Sequence, residues 1–203
     1  MGLYDILGIL VVLAGIGILA WFINRITNNG KQASVATSEN KITENKEIEN
    51  KDTGNTKKNW KSREFFLSTL QKIGSTYEID ENERIAFTWQ GGNFLVDVSD
   101  DCPFAVVWYL GWAEYELYDV DNLSRVRTVI NDANINHNLN VVYSINKDDG
   151  IYYLHTKKHF LFIPSIEDAH DYLCAVLSEF FVVRRYVETE LEKMRIEEEK
   201  LKR

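Results

Sequence analysis

The residues that could do chemistry in this chain are four histidines, two cysteines and a cluster of aspartates. His155 and His159 are four apart, and Cys102 and Cys174 would complete a zinc set of nitrogen and sulfur ligands. Both histidines fall in a segment that reads as a strand. There, positions i and i+4 share a face but lie about 13 Å apart at roughly 3.3 Å per residue, too far for one zinc ion. Asp97, Asp100 and Asp101 gather around a turn as calcium ligands would, yet no DxDxDG loop contains them, and they are expected to solvate the turn. Cys174 follows His170 by four residues on one helix, the spacing of a thiol beside a general base. Its neighbour Leu173 places it on the apolar side, so a buried, inert thiol is expected. Gly91-Gly92 lacks the GxGxxG or Walker surroundings of a phosphate loop. No catalytic residue, metal or cofactor is assigned, and the expectation is a protein that is not an enzyme.

Aromatic residues are the stronger signal. Trp89, Trp108, Tyr109, Trp112, Tyr115, Tyr118, Tyr152 and Tyr153 all fall in segments that read as strands. One sheet with three helices cannot cover both faces of every strand, so some rings are expected to reach solvent and mark a face that binds protein. Trp108, Trp112, Tyr115, Tyr152 and Tyr153 are the candidate partner-binding residues.

The elements that must position them follow from periodicity. A helix fits Lys61 to Ile73, with Phe66, Leu70 and Ile73 on one face and Gly74 as its stop. Short strands follow at 76–79, 84–90 and 93–98, the last two joined at Gly91-Gly92. The apolar run 104–118 has both faces apolar at its start, and its first half reads as a central strand covered on both sides. A second helix fits Asn122 to Ile135, with Asn122 as N-cap and Leu123, Val126, Ile130 and Ala133 as its stripe. Segments 139–145 and 151–162 flank Lys147-Asp148-Asp149-Gly150 as a hairpin. After Pro164, Ser165 and Asp168 resemble a capping box opening a third helix through Phe180. The order helix, strands, helix, hairpin, helix predicts an α+β domain: an antiparallel sheet with three packing helices.

Four regions are expected: an anchor at 1–25, a polar linker at 26–59, the α+β domain at 60–183 and a charged helical tail at 184–203. Residues 6–23, ILGILVVLAGIGILAWFI, carry no charge and no proline. At about 1.5 Å per residue they span roughly 27 Å, near what a hydrocarbon core requires. The run ends in bulky Trp21-Phe22-Ile23 rather than small residues, which argues for an uncleaved single transmembrane helix over residues 3–23. Arg25 and Lys31 follow it and no Lys or Arg precedes it. That places the folded part on the cytoplasmic side of the inner membrane. The linker has no aromatic residue and interleaved charges, the composition of a flexible tether. Two cysteines are no disulfide framework and suit a reducing compartment.

The chain carries a formal charge of −8. Residues 60–183 hold nine Lys/Arg against nineteen Asp/Glu, −10, and such a domain repels phosphate backbones, so nucleic acid is not an expected partner.

With this order assembled, residues 62–183 resemble the YbjN-like family, whose fold is shared with type III secretion chaperones. The resemblance rests on the Gly91-Gly92 hairpin, the second helix ending in Asn131, Asp132, Ala133 and Asn134, the Gly150 turn and the closing amphipathic helix. It implies bacterial origin and a small non-enzymatic domain that binds protein, often as a dimer. The chain differs from that pattern by its added anchor, tether and tail. The expected function is a membrane-tethered protein-interaction module, chaperone- or regulator-like. A homo-oligomeric scaffold at the membrane, built on a homodimer, is the alternative.

Overall fold

The chain divides into two units, residues 1–56 and 57–203. Its structure, a computed structural model, describes residues 59–202. The expected anchor, and all but the last residue of the expected linker, lie outside the described residues. Among the described residues no helix is long and apolar enough to cross a membrane.

Residues 59–202 form a mixed α+β fold. Its elements are α1 (Ser62–Lys72), β1 (Tyr77–Ile79), β2 (Ile85–Trp89), β3 (Gly92–Asp97), β4 (Phe104–Glu116), α2 (Val120–Asn136), β5 (Asn140–Asn146), β6 (Ile151–Leu161) and α3 (Ala169–Leu201). The strands make one antiparallel sheet in the order β1-β2-β3-β4-β6-β5. The expected α+β class, antiparallel pairing and three helices are all present.

Turn chemistry sets the hairpins. Trp89 pairs with Gly92, and the two residues between them, Gln90 and Gly91, have φ of 46° and 77°. Positive φ at both central positions is the two-residue turn whose twist suits a hairpin. Gly92 is required for a different reason: a Cβ there would meet the rings of Phe94, Phe181 and Tyr109 at 2.9–3.0 Å.

The helices pack on one face of the sheet. Phe66 of α1 meets Phe87 and Phe162, and Phe180 and Phe181 of α3 meet Phe94 and Tyr109. This layer buries Phe66, Leu70, Ile85, Phe87, Phe94, Val96, Val107, Leu154, Leu173, Leu177 and Phe180. Each such side chain is worth about 1.5–3 kcal/mol of transfer free energy. The opposite face, set by strict alternation, carries Phe104, Val106 and Trp108 of β4. Where cover on both sides is expected, the helix contacts among the described residues lie on one side of this half-strand, and Val106 and Trp108 are half-buried.

Two caps differ from the sequence reading. The N-cap of α2 is Asp119, whose side chain accepts from the Asn122 backbone N–H at 2.9 Å; Asn122 itself lies inside the helix. Ser165 and Asp168 form no capping box. Asp168 precedes α3 in the left-handed region, φ 49°, and makes no side-chain cap bond.

Helix α3 continues without a break to Leu201, so position 183 falls inside an element. Val183 and Val187 are fully buried, and Leu191 and Met194 extend the same stripe onto the core. The tail is held against α2. Arg125 Nη1 donates to Glu198 Oε2 at 2.7 Å, Tyr186 hydrogen-bonds Asp132, and the Tyr186 ring meets His137 at 4.7 Å. Burial, not the surface ion pair, anchors this segment. Val187→Ala is expected to cost about 2 kcal/mol. Arg125→Ala is expected to cost under about 1 kcal/mol. Denaturant titration of both variants checks the order, and equal losses would contradict it.

Candidate interaction face

The long strand β4 meets β6 in a register that breaks once. Tyr109 pairs with Thr156 and Ala113 with Leu154, so Leu110, Gly111 and Trp112 face the single residue His155. Gly111 takes a φ of 55°, the left-handed conformation that a bulge of this kind asks of one residue. His155 bridges the gap. Its Nδ1 accepts the Gly111 N–H at 3.0 Å, standing in for a ladder carbonyl, and its Nε2 lies 2.8 Å from Ser144 Oγ on β5. Trp112 is pinned from the other side, its Nε1–H donating to Thr156 Oγ1 at 3.0 Å.

Among the described residues the Ser144–His155 pair resembles a nucleophile and base, and its geometry tells against that role. A nitrogen that accepts an N–H carries no proton, so the neutral ring holds its proton on Nε2 and donates it to Ser144. A general base needs the reverse, with Nε2 free to take the serine proton. Burial also drives the His155 pKa down to about 4, which weakens it further as a base at neutral pH. His155 acts as a structural splice at the bulge.

Other sequence candidates serve as local ties. Asp100 Oδ1 accepts the Arg63 backbone N–H at 2.9 Å and so caps α1 from a distant loop. His170 Nδ1 lies 2.7 Å from Asp171 Oδ1. Cys174 is half-buried, short of the full burial expected, and its thiol is pushed up by burial and then by the Asp171 charge. A raised pKa lowers its thiolate fraction and its reactivity. Cys102 is exposed in the turn before β4.

The five candidate aromatics do not form one surface. Tyr115 and Tyr152 pair on the helix side, ring centroids 6.4 Å apart, and Trp112 joins the core on that side. Tyr152 is buried and pushed up to about 12, first by desolvation and then by neighbouring Tyr143. Tyr153 is on the other face but buried too. The expected solvent exposure is thus corrected for Trp112, Tyr152 and Tyr153: the bulge turns Trp112 inward, Tyr152 points into the helix-side core, and Tyr153 is buried on the opposite face. Trp108 remains, half-buried on the helix-free face, with Lys157 Nζ 4.8 Å from its ring centroid.

Around Trp108 the register assembles an apolar strip that sequence reading did not single out. Leu95 pairs with Trp108, Ala86 with Leu95, Val106 with His159 and Phe104 with Leu161. All project to the face that no described helix covers; Leu95 and Ala86 are buried there, Val106 lies between Asp97 and His159, and Phe104 and Leu161 at its end are 52% and 39% exposed. The signal was available as the period-2 set Phe104, Val106, Trp108 once β4 was assigned to a one-sided sheet.

No family model and no curated protein matches the chain. Among solved structures, it is similar to the crystal structure of YbjN from E. coli, with a TM-score of 0.45 and 11% identity, over 64% of this chain and 92% of that one.

Proposed function

We propose that this chain is a non-enzymatic protein-interaction module, of the regulator or chaperone kind, tethered to a membrane through residues 3–23. The observation that carries the reading is the sheet face that no described helix covers. Phe104 and Leu161 are 52% and 39% exposed there, and Trp108 and Val106 are half-buried, beside the stacked cation Lys157. An aromatic anchor beside apolar side chains and a cation is the composition of a binding hot spot. The occupant is a protein segment with an apolar stripe. The acidic domain disfavours nucleic acid and anionic lipid. Tethering would concentrate the face beside membrane complexes, raising effective concentration without a new contact.

Affinity capture of the full chain from solubilised native membranes, beside a form lacking residues 1–26, tests this reading. A specific partner recovered with the full chain and depleted in the shortened form is the expected result. Equal recovery with both forms would remove the tether from the account.

A further inference from the structure

Strand β5 is a sheet edge, and its backbone polarity can be read from one contact. The Val141 N–H donates to Asn134 Oδ1 at 2.7 Å, and Asn134 Nδ2 donates to the Val141 carbonyl at 3.1 Å. Val141 therefore turns its backbone groups away from β6. By antiparallel alternation, Tyr143 and Ile145 do the same, while Val142 and Ser144 bond to β6. Asn134 occupies the outward groups of Val141. Among the described residues nothing bonds those of Tyr143 and Ile145.

The rest of the edge is unguarded. Natural edges are blunted by charge, proline, bulges or shortness. The opposite edge, β1, is three residues long, contains Glu78 and runs into Asp80-Glu81. Strand β5 reads NVVYSIN, seven residues with no charge and no proline, in a domain that is otherwise strongly acidic. Its helix-side residues Tyr143 and Ile145 are 47% and 41% exposed.

We propose that β5 pairs with β5 of a second copy, antiparallel about a two-fold axis at Ser144. The plug at Val141 and the turn at Lys147 together select this register, since an axis at Ile145 would set Tyr143 opposite Lys147, outside the strand. An axis at Tyr143 would need the Val141 groups that Asn134 holds. The axis at Ser144 uses the free groups of Tyr143 and Ile145 alone, with Tyr143 opposite the second copy's Ile145 and the reverse. Each pair exchanges two backbone hydrogen bonds. Each also sets an aromatic ring against a β-branched chain, a favourable cross-strand combination, and covers the exposed apolar pair of both copies. The neutral strand lets two like-charged domains approach at the one edge without charge, with their remaining charges screened beyond about 8 Å. This interface is separate from the Trp108 face, and neither requires the other.

Cysteine cross-linking tests it in the full chain in mild detergent, with Cys102→Ser and Cys174→Ala as background. Ser144→Cys places two thiols across the axis in a non-hydrogen-bonded pair, within disulfide reach. Val142→Cys lies on the same face but opposite Asn146 of the second copy, out of reach of its own equivalent. Mild oxidation is expected to convert most of the Ser144→Cys chain to covalent dimer and leave the Val142→Cys chain monomeric. Light scattering of the unmodified chain is expected to give a dimer, and Ile145→Lys a monomer with an unchanged circular dichroism spectrum. A monomeric unmodified chain, absence of the Ser144→Cys cross-link, or equal cross-linking at Val142→Cys would each overturn the proposal. The last result would point to β5 pairing with something other than its own copy in this register.

Discussion

Phe94→Ala is expected to destabilise the folded unit by about 3–5 kcal/mol, a large share of the roughly 5–15 kcal/mol that holds a typical domain together. Phe94 is fully buried at the centre of β3 and joins three elements. Its ring stacks on Phe87 at 5.4 Å and Tyr109 at 5.0 Å, and takes Phe180 and Phe181 edge-on at 5.6 and 6.1 Å. The truncation removes transfer free energy and leaves a cavity that the sheet cannot close, because the neighbouring rings sit on separately hydrogen-bonded strands and a long helix. Trp89→Ala at the edge of the same cluster is half-exposed and has one such ring contact, Phe181 at 5.8 Å, so its loss should be smaller. Equilibrium unfolding in guanidinium chloride, with the midpoint and slope both fitted, measures the difference. A Phe94→Ala loss below about 1 kcal/mol would mean the aromatic layer is not the core.

Acid is expected to weaken the fold through His155. Burial holds its folded pKa at about 4, against 6.5 for the free side chain. The folded state therefore binds fewer protons than the unfolded state between these values. The contribution of the neutral ring is fully present above pH 6.5 and is lost as pH falls toward 4, about 3 kcal/mol in all. Protonation would put a positive Nδ1–H against the Gly111 N–H, which opens the bulge that orders Trp112. Gln at 155 keeps an acceptor and cannot titrate. Unfolding free energies at pH 7 and pH 4.5 should differ by about 2–3 kcal/mol more in the unmodified chain than in His155→Gln. Carboxylate titration is common to both and cancels. Equal pH dependence in the two chains would contradict the assignment, as would a folded His155 that titrates near 6.5.

The order of elements was legible because its punctuation is local. Gly74, Gly91-Gly92 and the Lys147–Gly150 turn mark element ends through backbone preferences that need no tertiary information. The placement of the aromatics was not legible. Plain alternation along β4 sets Trp112 on the same face as Trp108, but the two extra residues opposite His155 swing it into the core. The apolar run 104–118 contains no stop that would betray the bulge except Gly111. The Ser144–His155 contact needs the β5–β6 register, which a turn of this length leaves open. The charged helical tail expected at 184–203 continues α3, and Val183, Val187, Leu191 and Met194 carry its stripe at helical spacing onto the core.

The central claim is that the helix-free face around Trp108 recruits a protein partner, and partner capture with a face variant tests it most directly. Trp108→Ala combined with Phe104→Ala removes the anchor and its exposed neighbour while leaving the helix-side core intact. The account predicts that the partner recovered by the unmodified chain falls by at least about tenfold with this variant, at an unchanged unfolding midpoint. Undiminished recovery with a folded variant would contradict it.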